Sequence, residues 1–97
     1  MKMANVKKAS SNHESIILDQ IVGMRVMERR AEIGFTQVGL AEIMDLSKTA
    51  VRSIELGWRR PTPAQLLSLA YALGVKVSYF FEGVQVSGSS AADLYLS

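Results

Sequence analysis

The sequence predicts an all-α fold, a compact five-helix domain with flexible N- and C-terminal tails. Three observations predict it. Apolar residues recur at three- and four-residue steps, as in Leu18, Val22 and Val26, and again in Leu66, Leu69, Ala70 and Leu73. Helix-ending glycines and helix-starting hydroxyl residues separate these runs, at Gly34 with Thr36, at Ser47, at Gly57, at Thr62 and at Gly74. Residues 37–54, QVGLAEIMDLSKTAVRSI, hold two short helical patterns joined by a turn. Leu40 and Met44 are four apart, and Val51 and Ile54 three apart, so each pair shares a helix face. Asp45-Leu46-Ser47 is too polar to continue the first helix. Aspartate tolerates the left-handed conformation of a sharp exit, and Ser47 can cap the next helix. Ala41 is small where two steeply crossing helices must approach. The result is a helix-turn-helix.

Length and composition bound the rest. Ninety-seven residues allow one small domain with tails, and 48% hydrophobic residues suffice for a core. No cysteine is present, so neither disulfides nor thiolate metal sites can hold the fold. The lone His13 stands in a polar segment and reads as a solvated tail residue rather than a ligand or catalyst. No metal and no cofactor is expected. No stretch approaches the about 20 apolar residues of a membrane helix, and the first residues lack a secretory signal pattern. A soluble cytoplasmic protein is expected. An enzyme would need convergent titratable groups, and no phosphate loop, nucleophile elbow or metal spacing occurs. Net charge is +2, but its distribution is uneven. Lys2, Lys7 and Lys8 stand without acids at the start, residues 13–46 are net acidic, and residues 47–60 carry Lys48, Arg52, Arg59 and Arg60 against Glu55.

In chain order, residues 1–13 read as a disordered basic arm, free to contact phosphates or simply flexible. The domain spans 14–83. Its first helix runs over 14–33, with Ser15 as cap. Arg30 follows Leu18, Val22 and Val26 on their face, and an arginine on an apolar stripe needs a carboxylate. Glu55, one past the inward Ile54, is the natural partner. Thr36 caps the second helix, whose free N–H groups and dipole make a phosphate seat, with Gln37 adding a donor. The third helix, 47–56, turns Val51 and Ile54 inward and leaves Lys48, Thr49, Arg52 and Ser53 outside. Arg59 and Arg60 follow and suit phosphate contact. Trp58 either stacks on sugar-phosphate or packs on the arginine stems; packing is the preferred reading. Thr62-Pro63-Ala64-Gln65 is a capping box opening the fourth helix. Ser78 caps a short fifth helix, with Val75 and Phe80 closing the core and Tyr79 or Phe81 left partly exposed. Residues 84–97 read as a linker and a short apolar end, either disordered or docked on a partner.

Residues 22–83 resemble the Cro/repressor-type (XRE) family of helix-turn-helix DNA-binding regulators. The resemblance rests on Arg29 and Arg30, Gly34-Phe35-Thr36-Gln37, Leu40-Ala41, Leu46-Ser47, Val51, Ile54-Glu55, Gly57, Pro61 and Leu73-Gly74-Val75. Asp45 stands where relatives often have glycine, and Val38-Gly39 where they have acidic residues. The resemblance implies a structural Arg30–Glu55 pair, phosphate contacts from Thr36 and Gln37, and a dimer contact near Tyr79 and Phe81. It points to a regulator, a repressor by preference, that binds a palindromic double-stranded DNA operator as a homodimer. The third helix would lie in the major groove, with Ser47, Lys48, Thr49, Arg52 and Ser53 at the bases and Arg59 and Arg60 at phosphates. The alternative is an antitoxin-like or other protein-binding module on the same fold, with a protein partner on the C-terminal tail.

Overall fold

The computed structural model describes residues 2–86 and 89–96; for residues 2–13, 86, 89, 90, 94 and 96 it describes the backbone alone. Four helices form the body: α1 (Lys2–Glu32), α2 (Gln37–Met44), α3 (Lys48–Glu55) and α4 (Pro63–Leu73). A 3-10 helix (Val77–Phe81) follows, then a two-residue antiparallel pair, β1 (Gln85–Val86) and β2 (Ser89–Ser90), and finally α5 (Ala91–Leu96). The all-α class expected from the periodicity is the one observed. No described helix is long and apolar enough to cross a membrane.

The helix ends follow local chemistry. Thr36, Ser47 and Thr62 each adopt an extended backbone and accept a hydrogen bond from the amide three residues on. Thr62 and Gln65 complete the reciprocal capping box. Asp45 leaves α2 in the left-handed region at φ 54°, as its short polar side chain permits. The first helix is the exception. It is helical from Lys2, so Ser15 lies inside it and caps nothing. No glycine or proline occurs before Gly23, and nothing in that stretch forces a start near Glu14. The basic side chains expected to form an arm, Lys2, Lys7 and Lys8, lie outside the described side chains. Ser78 likewise falls within the 3-10 helix, which has no side-chain cap.

Leu18, Val22 and Val26 of α1 meet Leu40, Val51, Leu66, Leu69, Leu73 and Phe80 in one core, each at most 2% exposed. Two glycines set how closely α1 can approach α3. A Cβ on Gly23 would stand 2.2 Å from the Ile54 carbonyl oxygen, and one on Gly57 2.7 Å from the Gln20 Cα. Only glycine lets these backbones touch.

The C-terminal residues differ from the expectation of a tail that is disordered or docked on a partner. α5 folds back on the chain's own core, burying Ala91 and Tyr95. The Tyr95 ring meets Phe81 edge-on at 5.2 Å, and the Arg60 guanidinium lies 4.4 Å from its centroid. Aromatic stacking and a cation–π contact thus tie the end of the chain to the middle. Burial first, and then the nearby Asp19 charge, push the Tyr95 phenol well above its ordinary range. The hydroxyl makes no hydrogen bond of full geometry. Tyr95→Ala is therefore expected to lower stability by about 3 kcal/mol, while Tyr95→Phe changes it by less than about 1 kcal/mol. Urea melts of the two variants check this; equal losses would place the stabilisation in the hydroxyl instead of the ring.

Candidate nucleic-acid interface

The interface is built on a charge network beneath α3. Arg30 Nε donates to Glu55 Oε2 at 2.5 Å and Arg30 Nη2 to Glu55 Oε1 at 3.1 Å, a bidentate pair. The Glu55 side chain is 2% exposed and that of Arg30 14%. Arg30 Nη1 also donates to the Phe35 carbonyl at 2.8 Å, and Gln37 Nε2 donates to Glu55 Oε1 at 2.9 Å. One carboxylate thus fixes the end of α1, the start of α2 and the end of α3 relative to one another. Gln37, expected to reach a phosphate with its amide, gives one of its two amide N–H donors to Glu55 and lines the groove described below.

Above this network, α3 divides cleanly. Ala50, Val51, Ile54 and Glu55 are buried, while Lys48, Thr49 and Arg52 are exposed and Ser53 is half-buried. Ser47 is exposed too; its oxygen accepts from the Ala50 amide at 3.0 Å, which leaves its O–H and one lone pair for an outside partner. Thr36 is exposed and engaged in the same way with Gly39, at 2.9 Å. A groove of about 490 Å³ opens where α1 ends and α2 and α3 begin, lined among others by Gly34, Thr36, Gln37, Val38 and Lys48. The α2 N-terminus, with its unpaired amides, borders it, which favours an anion there.

The loop after α3 separates the two arginines that the sequence placed together. Arg59 is exposed. Arg60 turns inward: its Nε donates to Asp19 Oδ1 at 2.9 Å and its guanidinium stacks on Tyr95. Unlike Arg59, Arg60 is thus tied into the fold, with 33% of its side chain exposed. Sequence reasoning had no view of this because both partners come from distant segments, one of them expected to be a tail. Phe81, expected with Tyr79 at a dimer surface, is 7% exposed and packs against Tyr95. Tyr79 is the half-buried residue of the pair. Trp58, expected to pack, is 75% exposed.

Two short helices at the surface of a core, the second presenting cations and hydroxyls from a rigid underside, define a helix-turn-helix domain. The helix-turn-helix family profile matches residues 26–80, more than half of the chain, and the protein belongs to that family, of the XRE type. Among its relatives, the HTH-type transcriptional regulator RamB of Mycobacterium tuberculosis is 37% identical over 59 residues, covering 61% of this chain and 12% of that protein. An uncharacterized HTH-type transcriptional regulator of Rickettsia prowazekii is 28% identical over 68 residues, 70% of this chain and 52% of that one. The chain spans about half the length of that relative. The crystal structure of the restriction-modification controller protein C.AhdI from Aeromonas hydrophila superposes with a TM-score of 0.62 at 30% identity, covering 65% of this chain and 96% of that one.

Proposed function

We propose that this protein is a sequence-specific, double-stranded DNA-binding transcriptional regulator that acts as a homodimer on a palindromic operator, most simply as a repressor. The observation that carries the reading is the outward face of α3. Lys48, Thr49 and Arg52 are exposed on it, while its inward face is locked by Val51, Ile54 and the Arg30–Glu55–Gln37 network. A helix of this width fits the major groove. Lys48 and Arg52 can donate to guanine O6 and N7, and Thr49 can hydrogen-bond a base or set its methyl against thymine. The Ser47 O–H and Ser53 lie close enough to the same face to let it approach. Thr36, the α2 N-terminal amides and Arg59 meet phosphates, which position the domain without reading sequence.

A homodimer is supported by exposed apolar surface on another helix. Leu67 and Tyr71 on α4 are 63% and 90% exposed, and Tyr79 is half-buried nearby in sequence. The antitoxin-like alternative loses part of its support, because Ala91 and Tyr95 of the apolar segment that suited a protein partner are buried on this chain's own core. Selection from a random duplex pool tests the reading. One enriched motif with two related half-sites about one helical turn apart is expected. A pool that stays random after repeated rounds contradicts it.

A further inference from the structure

Trp58 is the only tryptophan in the chain, and it stands exposed in a loop that is otherwise pinned. On one side, Gly57 (φ +78°) abuts the α1 backbone at Gln20. The Trp58 and Arg59 amides both donate to the Ser53 carbonyl, at 2.9 and 3.2 Å, which holds the loop against the last turn of α3. On the other side, Arg60 is tied to Asp19 and Tyr95, and Pro61 is buried. Arg60 thereby gives its cation–π contact to Tyr95 and not to Trp58. Two neighbouring residues are left projecting between fixed points, Trp58 and Arg59. The Arg59 side chain has no hydrogen-bond or ion-pair partner among the described residues.

An isolated exposed apolar residue needs no explanation by itself. This one sits on the loop that leaves the reading helix, three residues past its last residue, Glu55, and its backbone is already held by hydrogen bonds to Ser53. Binding through it therefore costs little conformational entropy. An indole offers a flat apolar face and a single N–H donor, with no acceptor. That is too little to distinguish base pairs in the major groove. It is well suited to a deoxyribose face with a phosphate oxygen at its edge.

We propose that Trp58 is a non-ionic contact to the DNA backbone, its ring against a deoxyribose and its Nε1–H donating to a phosphate oxygen, beside the ionic contact of Arg59. The inference rests on the DNA-binding reading above. It gives Trp58 a signature different from that of every cation on the surface. A neutral contact displaces no condensed counterion, so its loss lowers affinity without changing the salt dependence. It reads no bases, so selected and scrambled duplexes suffer alike.

The test uses the full chain, an end-labelled selected duplex and a scrambled one. Anisotropy of the label reports binding, and indole emission reports Trp58 alone. In the parent protein, emission should change saturably at the same DNA concentrations as the anisotropy. Trp58→Ala should weaken both duplexes by about tenfold, leave the slope of log affinity against log salt unchanged, and melt like the parent. Trp58→Phe should recover part of the loss. Parent-like affinity of Trp58→Ala together with silent emission overturns the proposal while leaving DNA binding standing. A loss confined to the selected duplex overturns it too, making Trp58 a sequence reader. If the labelled duplexes bind the parent protein at no salt concentration, the DNA-binding reading has failed first, and the inference falls with it. Emission that responds to another protein but never to DNA would assign the loop to a protein partner.

Discussion

Arg30→Met alone, or Glu55→Leu alone, is expected to lower the unfolding free energy by about 3–5 kcal/mol, and the double variant to recover much of it. The asymmetry comes from burial. Glu55 is 2% exposed in its side chain and accepts from Arg30 Nε and Nη2 and from Gln37 Nε2. Removing Arg30 leaves a carboxylate with only the Gln37 amide, and removing Glu55 leaves a largely buried guanidinium with only the Phe35 carbonyl. An unpaired buried charge is far more costly than the pair is favourable, so replacing both by apolar groups of similar size removes the liability. Urea melts of the two single variants and the double variant give the cycle. Additive losses would mean that the two charges are solvated independently. The same network orients α3, so singles that still fold should bind DNA less specifically.

Gly23→Ala is expected to cost about 3 kcal/mol, at the upper end for overpacking. Helix propensity alone predicts the opposite sign, since alanine in a helix interior is favoured over glycine by about 1 kcal/mol. The geometry decides between them. The new methyl would sit 2.2 Å from the Ile54 carbonyl oxygen and 2.7 Å from that of Glu55. Both are backbone atoms of the reading helix and cannot rotate away. Relief requires α1 and α3 to separate, which opens the core at Val22 and Val51 and stretches the Arg30–Glu55 pair. A melting temperature at or above the parent's would show that the helices part without loss and that the close contact is not needed.

The helices and their caps were legible because they are local. Thr36, Ser47, Asp45 and the Thr62–Gln65 box act on amides within three or four residues, and the α1 stripe is a periodicity within one segment. Glu55 could be paired with Arg30 because both stood at the ends of apolar stripes. What escaped was long-range or negative. The Asp19–Arg60–Tyr95 cluster joins three segments, and no spacing in the sequence announces it. Once Tyr95 is seen to cover Phe81, the exposed aromatic predicted after α4 moves to Tyr79. The backbone of α1 starts upstream of the expected Glu14, and no glycine or proline in residues 2–13 marks a boundary there. Gly23 did carry a signal: an isolated glycine inside a helical pattern usually marks close packing. Gln37 was ambiguous in principle, since an amide can serve a carboxylate as well as a phosphate.

The proposed regulator reads sequence with α3 and uses the loop after it only to hold the DNA backbone. A salt titration of binding to a selected duplex and a scrambled one, for the parent, Lys48→Ala, Thr49→Ala, Arg52→Ala and Arg59→Ala, separates the two roles. Lys48 and Thr49 occupy the exposed first turn of α3. Their loss should remove about 1–3 kcal/mol of discrimination at one base pair, weakening the selected duplex and barely touching the scrambled one. Arg59→Ala should weaken both alike and flatten the slope of log affinity against log salt by about one unit. Arg52 will fall with one group or the other. Variants that all weaken the two duplexes equally would contradict the account, because α3 would then be another phosphate-binding surface and not the element that reads the operator.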